Sequence, residues 1–180
     1  TVPMLAHISK EVFGSHITVV VLDERFSSEN AVNNFLQLQK QPIYEKMKRA
    51  GVMFIDTVPD KQDDLESFAE KYEKSLHQWK VNHPDGVMVA TQGIGIDGHT
   101  VGIFPASSAG KPSLEEVEWF TKTFSTTDRW IVGYDARLRQ GFGGQAVLHP
   151  IRVTTTFPFL RQLDHVVFYC YGEKKQEALA

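Results

Sequence analysis

Residues 86–105 read Gly-Val-Met-Val-Ala-Thr-Gln-Gly-Ile-Gly-Ile-Asp-Gly-His-Thr-Val-Gly-Ile-Phe-Pro, and they indicate both a fold and a chemistry. The apolar run at 86–90 predicts a strand, and a glycine-rich turn follows it. Open α/β sheets bind their ligands at the carboxyl ends of the strands, so a turn placed there faces a ligand. This turn carries Asp97 and His99, an acid and an imidazole two residues apart. We therefore predict an active site at this turn.

The glycines of the turn and its histidine have separate tasks. Gly93, Gly95 and Gly98 accept backbone angles closed to other residues and let a ligand approach the main chain closely. His99 is the side chain whose charge is easiest to tune near neutral pH, which suits it to general acid–base work. The predicted site therefore combines main-chain N–H groups with one titratable ring.

The same turn also matches the Gly-x-Gly-x-x-Gly spacing of dinucleotide sites over residues 93–98. In that fingerprint a helix starts directly at the glycines, and an acid ends a second strand about 20 residues later. Here His99 and a proline-containing loop follow, and the glutamates within 115–118 fall in a polar segment with a helical pattern. We therefore expect no nicotinamide, and no other cofactor.

Strand and helix patterns alternate through the first half of the chain. Apolar runs predict strands at 17–22, 52–55 and 86–90, and helical patterns occupy 29–50 and 65–82. Such alternation implies right-handed crossovers between parallel strands. We therefore expect an α/β fold, a Rossmann-like, doubly wound and mostly parallel sheet with helices on both faces.

The second half of the chain continues with further predicted elements. Strands are expected at 130–134, 152–157 and 165–171, and a short helix at 114–124. The strand at 165–171 holds Cys170, and its apolar run predicts a buried position. A last helical segment starts at Glu173 and is unfinished at the end of the chain.

Length, charge and cysteine content limit the classes of function. Residues 1–180 are most simply one domain. The chain has 19 Lys plus Arg against 22 Asp plus Glu and no basic tract, so no nucleic-acid partner is expected. No apolar run approaches the roughly 20 residues that cross a bilayer, so no membrane partner is expected. A single cysteine excludes a disulfide framework and a cysteine-rich metal site, which suits a reducing cytoplasm, and we expect no metal.

Three segments of the chain form a recognisable set. The first is Asp-Glu-Arg at 23–25, after the first predicted strand. The second is Gly-x-Gly-x-Asp-Gly-His-Thr at 93–100, followed by Phe-Pro. The third is Arg-Val-Thr-Thr-Thr-Phe-Pro at 152–158, with Gly-x-x-Lys ending at Lys175. Together they resemble the 6-phosphogluconolactonase and glucosamine-6-phosphate isomerase/deaminase family, whose Rossmann-like α/β fold agrees with the alternation of elements.

The two branches of that family differ at two positions visible in this sequence. Lactonases carry Asp-Glu-Arg after the early strand, whereas deaminases carry Asp-Glu-Tyr. Deaminases place a glutamate before the proline of the second motif, where it helps the histidine to open the sugar ring. Arg25 and Phe104 stand at these positions here. The resemblance therefore implies the lactonase branch, which opens 6-phosphoglucono-1,5-lactone to 6-phosphogluconate in the oxidative pentose phosphate route.

The resemblance also implies roles for individual residues, with a small phosphorylated sugar as the substrate. His99 is expected to be the general base on water, Asp97 to orient the loop or the ring, and Arg25 to stabilise the oxyanion with main-chain N–H groups. Arg152 offers a planar fork to phosphate oxygens, and Lys175 a point charge. The residues expected to bind substrate are Asp23, Glu24, Gly93, Gly95, Gly98, Thr100, Arg152 and Lys175.

Two departures from the family pattern leave other functions open. The family's phosphate loop, a Ser-Gly-Gly-Ser-Thr-Pro type turn, is not in the sequence, and residues 1–3 resemble its tail. We therefore expect this chain to lack that loop and the C-terminal end of the domain. The loop after Arg25 is also shorter than in lactonases. An amino-sugar-phosphate isomerase or deaminase and a non-catalytic sugar-phosphate-binding protein remain alternatives, and the oligomeric state is not predicted.

Overall fold

The structure is a computed structural model that describes residues 10–29, 31–106, 111–136 and 149–179. The proposed loop tail at 1–3 and the glycine-rich stretch at 140–145 lie outside these ranges. Within them, no helix has both the length and the apolar character that a bilayer span requires.

The first half of the chain alternates strand and helix as predicted. Its elements are β1 (Thr18–Val19), β2 (Asp23–Arg25), α1 (Asn34–Gln39), α2 (Pro42–Arg49), β3 (Met53–Phe54), α3 (Leu65–Asn82) and β4 (Val89–Gly93). Pro42 begins α2 because proline suits the first turn of a helix. The segment 23–25 is a strand of its own and not the turn that ends β1, because its backbone pairs with a strand from the far end of the chain.

Helix α3 is the longest described element, and it confirms the helical pattern predicted at 65–82. Asp64 caps it by accepting a hydrogen bond from the Ser67 amide at 2.8 Å, and the Ser67 hydroxyl closes a capping box. The apolar spacing along 65–82 gives the helix one buried face, formed by Phe68, Ala69, Tyr72 and Leu76.

The second half of the chain contains the remaining elements. They are α4 (Leu114–Phe120), which continues into a π-helical turn at Thr121–Ser125, β5 (Ile131–Asp135), β6 (Ile151–Thr155), α5 (Phe157–Leu160), β7 (His165–Tyr169), a 3₁₀ turn at Glu173–Lys175 and α6 (Gln176–Leu179). The prediction that the strand around Cys170 is buried is wrong, since all five residues of β7 are exposed. An apolar run identifies a strand, but it does not show what covers the strand.

The strands pair in three separate groups among the described residues. β1 pairs with β3, and β4 pairs with β7, both in parallel. β6 lies between β2 and β5 and is antiparallel to both. The fold is therefore mixed α/β, and the doubly wound, mostly parallel sheet is not confirmed. β5 and β6 follow each other along the chain without a helical pattern between them, and antiparallel pairing needs no crossover helix.

One face of the antiparallel sheet β2–β6–β5 packs against the hydrophobic cluster around α3, and the other faces the candidate site. Side chains alternate between the two faces of a strand. One face carries Val153 and Ile131, which are fully buried in a cluster with Phe68 and Tyr72 of α3. The other face carries the polar side chains Asp23, Arg25, Tyr134, Arg152 and Thr154. The loop that follows the glycine-rich turn lies on this polar face, where the Val101 and Gly102 carbonyls accept hydrogen bonds from Thr154 and Tyr134.

Candidate active site

The glycines of the turn at 93–98 differ in how strictly the structure requires them. The Gly95 amide donates to the His99 carbonyl at 2.8 Å, and a Cβ at position 95 would lie 2.2 Å from His99 Nδ1. Gly98 has a φ of +80°, which favours glycine. A Cβ on Gly93 would make only ordinary contact, 3.8 Å from the Tyr169 carbonyl. Gly95 and Gly98 therefore shape the loop, whereas Gly93 has no such steric need.

Asp97 holds the imidazole of His99 through one of its two ring nitrogens. His99 Nδ1 lies 2.5 Å from Asp97 Oδ1, and the same oxygen accepts the His99 amide at 3.3 Å. A carboxylate accepts hydrogen bonds, so this contact directs the Nδ1 side of the ring to Asp97 and leaves Nε2 pointing away from it. The two side chains are 36% and 30% exposed. The structure therefore shows which nitrogen of the His99 ring faces the Asp97 carboxylate, which the spacing in the sequence did not.

Phe104 connects the loop to the polar face of the sheet. Its ring centroid lies 5.0 Å from that of His99 and 5.5 Å from the Arg152 guanidinium carbon. Arg152 also donates from Nε to the His149 carbonyl at 2.9 Å, and its Nη1 lies 3.4 Å from Asp23 Oδ2. The buried ring of Phe104 thus contacts both the His99 ring of the loop and the Arg152 guanidinium of the sheet.

Two arginines lie directly opposite each other on neighbouring strands of this face. Arg25 on β2 is the register partner of Arg152 on β6. Burial, together with the nearby Arg152 charge, lowers the pKa of the Arg25 guanidinium from its ordinary value. Arg25 Nη1 donates to the Val32 carbonyl at 3.1 Å, while its buried Nε–H has no partner among the described residues. Like charges opposite each other are unfavourable, and the carboxylate of Asp23, 3.4 Å from Arg152 Nη1, offsets part of this repulsion.

Glu24 points away from this face, which corrects its predicted role in substrate binding. The residue is completely buried, because neighbouring positions of a strand face opposite sides of the sheet. Its carboxylate accepts the Asn34 amide at 2.5 Å, the Phe35 amide at 3.0 Å and the Thr57 hydroxyl at 3.1 Å. Glu24 therefore anchors β2 to the start of α1.

The buried Glu24 predicts a specific pH dependence of stability. Burial raises the pKa of the Glu24 carboxyl from 4.5 to about 7, although hydrogen bonds from Asn34, Phe35, Arg25 and Thr57 act in the opposite direction. Between these pH values the folded protein binds the proton more tightly than the unfolded chain. The Glu24 contribution to stability is therefore fully present below pH 4.5 and is lost as the pH rises to about 7, by on the order of 3 kcal/mol.

Urea unfolding measured from pH 4.5 to 8 checks this prediction for Glu24. We expect the difference in unfolding free energy between wild type and Glu24→Gln to change across this range in favour of the variant, because glutamine does not titrate. The surface variant Glu70→Gln serves as the matched control and should follow the wild-type profile. Parallel profiles for wild type and Glu24→Gln would contradict the assignment.

The two remaining residues predicted to bind substrate are Thr100 and Lys175. Thr100 donates its hydroxyl to Gln92 Oε1 at 3.3 Å, which ties the loop to β4. Lys175 ends the 3₁₀ turn after β7. Because β7 is parallel to β4, the carboxyl ends of the two strands lie at the same edge. Within the described part of the chain, Lys175 makes no hydrogen bond or ion pair with His99 or Arg152. The described ranges also show no group of three potential metal-ligating side chains.

Two hydroxyl groups that the sequence analysis did not single out contact the loop. Thr154 donates to the Val101 carbonyl, and Tyr134 donates to the Gly102 carbonyl. Thr154 lies two positions after Arg152 on β6, so strand alternation was a signal that could have identified it. No local pattern marks Tyr134, which reaches the loop only because β5 pairs with β6.

Comparison with known proteins shows which family this chain is part of. A family model described as glucosamine-6-phosphate isomerases/6-phosphogluconolactonase matches residues 2–180. The chain belongs to this family. The 6-phosphogluconolactonase of Chlamydia trachomatis serovar D is 30% identical over 165 residues, which cover 91% of this chain and 52% of that protein. The 6-phosphogluconolactonase of Chlamydia muridarum is 29% identical over the same length. The chain spans about half the length of these curated relatives.

Solved structures of the glucosamine-6-phosphate isomerase/6-phosphogluconolactonase family share the fold of this chain. A 6-phosphogluconolactonase from Thermotoga maritima superposes with a TM-score of 0.66 at 21% identity, covering 99% of this chain and 68% of that chain. One from Leishmania guyanensis gives a TM-score of 0.58 at 17% identity, covering 99% and 67%. The predicted family and the mixed α/β class are therefore both confirmed.

Proposed function

We propose that the protein hydrolyses the ring ester of 6-phosphoglucono-1,5-lactone to 6-phosphogluconate, a reaction of the oxidative pentose phosphate route. The observation that carries this proposal is the pairing of His99 with Asp97 through Nδ1, which leaves Nε2 free of the carboxylate as a base. Family membership and the names of the curated relatives support the same reaction. The arginine pair of β2 and β6 supports a negatively charged substrate.

The hydrolysis begins with proton transfer from water to His99. Nε2 removes a proton from a water molecule, whose oxygen then forms a bond to the lactone carbonyl carbon. Negative charge gathers on the carbonyl oxygen, where Arg25 and main-chain N–H groups of the turn donate hydrogen bonds. Positioned proton transfer of this kind contributes roughly 10²–10⁴ in rate. Asp97 stabilises the imidazolium that forms, because its carboxylate already contacts Nδ1.

Ring opening completes the reaction and returns the histidine to its neutral form. The tetrahedral intermediate collapses, and the bond between the carbonyl carbon and the ring oxygen breaks. The imidazolium of His99 gives its proton to the departing ring oxygen, which becomes a hydroxyl group. The product is 6-phosphogluconate, and no redox partner takes part in this hydrolysis.

The phosphate end of the substrate requires fixed positive charge. Arg152 has a side chain that is only 7% exposed, and its guanidinium is held by the His149 carbonyl and Asp23. A charge held in place loses little entropy when an anion binds to it. In this proposal Arg152 binds phosphate oxygens, and Lys175 adds a point charge from the turn after β7.

The isomerase or deaminase reaction is the second candidate, and Asp23 is the observation that favours it. Asp23 Oδ1 is buried and has no hydrogen-bond partner within the described ranges, so it is placed like a proton-shuttling base. However, the position next to Pro105 is Phe104, whose ring contacts the His99 ring. A phenyl ring neither accepts a proton nor orients an imidazole by hydrogen bonding, so the lactonase reaction is favoured.

Assays on the complete protein separate the candidate functions. With freshly prepared 6-phosphoglucono-1,5-lactone, we expect acid release above the spontaneous rate, proportional to protein concentration and saturable with substrate. Ammonia release from glucosamine 6-phosphate would instead establish the deaminase. Tight binding of 6-phosphogluconate in calorimetry without any turnover would establish a binding protein. Either of these last two results would overturn the proposed function.

A further inference from the structure

The loop that carries His99 contains a backbone turn that its own residues do not favour. Thr100 and Ile103 exchange two main-chain hydrogen bonds, of 3.1 and 2.7 Å, across the two residues between them. Those residues, Val101 and Gly102, have φ angles of 43° and 75°. Two positive φ values are typical of a type I′ turn, which asparagine and glycine prefer. A β-branched residue such as Val101 is a strained choice, so contacts from elsewhere must hold the turn.

Two hydroxyl groups from the polar face of the sheet supply those contacts. The Thr154 hydroxyl donates to the Val101 carbonyl, with the Leu22 carbonyl as a longer alternative acceptor at 3.4 Å. The Tyr134 hydroxyl donates to the Gly102 carbonyl. Tyr134 is 5% exposed and Thr154 is completely buried. Because neither hydroxyl is exposed to bulk water, both bonds are well protected, and they hold the second and third of the three peptide groups of the turn.

The turn is also pressed closely against a residue of the site. A Cβ at position 102 would lie 2.2 Å from Asp23 Oδ1, so the backbone of Gly102 sits directly against that carboxylate. Asp23 in turn lies 3.4 Å from Arg152. Along the chain, the turn is situated between His99 and Phe104, whose rings are in contact. A shift of the turn would therefore change the path of the chain between His99 and Phe104 relative to Asp23.

We propose that Tyr134 and Thr154 are positioning residues for the His99 base. They hold the strained Val101–Gly102 turn on the sheet, so that the imidazole stays in place beside the arginine pair. This proposal rests on the proposed function and adds to it two residues that touch neither substrate nor reacting atoms. Their effect reaches the chemistry only through the two carbonyl groups of the turn.

The test removes each hydroxyl while keeping the size of the side chain. In the complete protein, Tyr134→Phe and Thr154→Val are each expected to lower kcat about tenfold, with KM changed less than twofold, because the loss of one buried hydrogen bond misplaces the base. Thr154→Ser keeps the hydroxyl and should recover most of the activity. Amide hydrogen exchange at Thr100 and Ile103 should become faster in Tyr134→Phe and Thr154→Val, and this readout needs no activity.

Tyr72→Phe is the matched control for a purely structural effect. The Tyr72 hydroxyl also donates to a main-chain carbonyl, that of Val21, but it lies in the α3 core and not at the loop. Its loss should lower thermal stability and leave kcat unchanged. A wild-type kcat in folded Tyr134→Phe and Thr154→Val would overturn the positioning role alone. If the wild-type protein opened no lactone, the proposed function would fail, and the positioning role would fail with it.

Discussion

Replacing His99 by alanine in the complete protein is expected to lower kcat for lactone opening by about 10²–10⁴-fold, with little change in KM. In the proposed mechanism the imidazole removes the proton from water, whereas the main-chain donors and Arg25, which the variant keeps, bind the substrate and stabilise part of the developing charge. Initial rates with fresh lactone, corrected for spontaneous opening, measure this effect. The fold should survive, since the His99 side chain is 36% exposed and lies on a surface loop.

A second histidine provides the control for the His99 experiment. His165 begins β7 and is exposed, and it lies outside the cluster formed by the loop and the arginine pair. His165→Ala should retain wild-type kcat and KM. Undiminished turnover in a folded His99→Ala variant would rule out His99 as the base.

Replacing Arg152 by methionine is expected to lower kcat/KM for the phosphorylated lactone by roughly 10²–10⁴-fold. Charge-assisted hydrogen bonds contribute about 1.5–3 kcal/mol each, and a guanidinium forms two of them with a phosphate group. Methionine keeps much of the length of the side chain but removes the charge. The loss should appear mainly in KM, because the phosphate is bound equally in the ground state and the transition state.

Glucono-1,5-lactone, which lacks the phosphate, distinguishes the roles of the two arginines. For this substrate, wild type and Arg152→Met should have similar kcat/KM values, because the group that Arg152 binds is missing. Arg25→Met should lower activity on both lactones, since Arg25 is assigned to the carbonyl oxygen. Arg161→Met, at an exposed arginine, is the control and should behave like wild type. An equal loss in Arg152→Met on both lactones would instead place Arg152 at the carbonyl end.

Much of the local structure of this protein is predictable from its sequence. The helix at 65–82 follows from its apolar spacing, which acts over a few positions, whereas the structure shows that Asp64 is the residue that caps it. The glycine pattern at 93–98 and the acid–histidine pair are likewise local; they identified the loop and, together with the motifs at 23–25 and 152–158, the family. The sequence predicted the chemical roles of Asp97 and His99, but their spacing did not show which nitrogen of the His99 ring contacts the Asp97 carboxylate.

The sequence by itself thus determined the main elements, the turn and the residue types that the chemistry needs, because caps, periodicity and glycine preferences are short-range effects. Only the tertiary structure decided which distant side chains meet. The antiparallel pairing of β2 with β6 placed Arg25 opposite Arg152 and the Glu24 side chain in the interior. The pairing of β5 with β6 brought the Tyr134 hydroxyl to the loop. Strand partners lie more than a hundred residues apart in the first case, and no local pattern encodes register across such a distance.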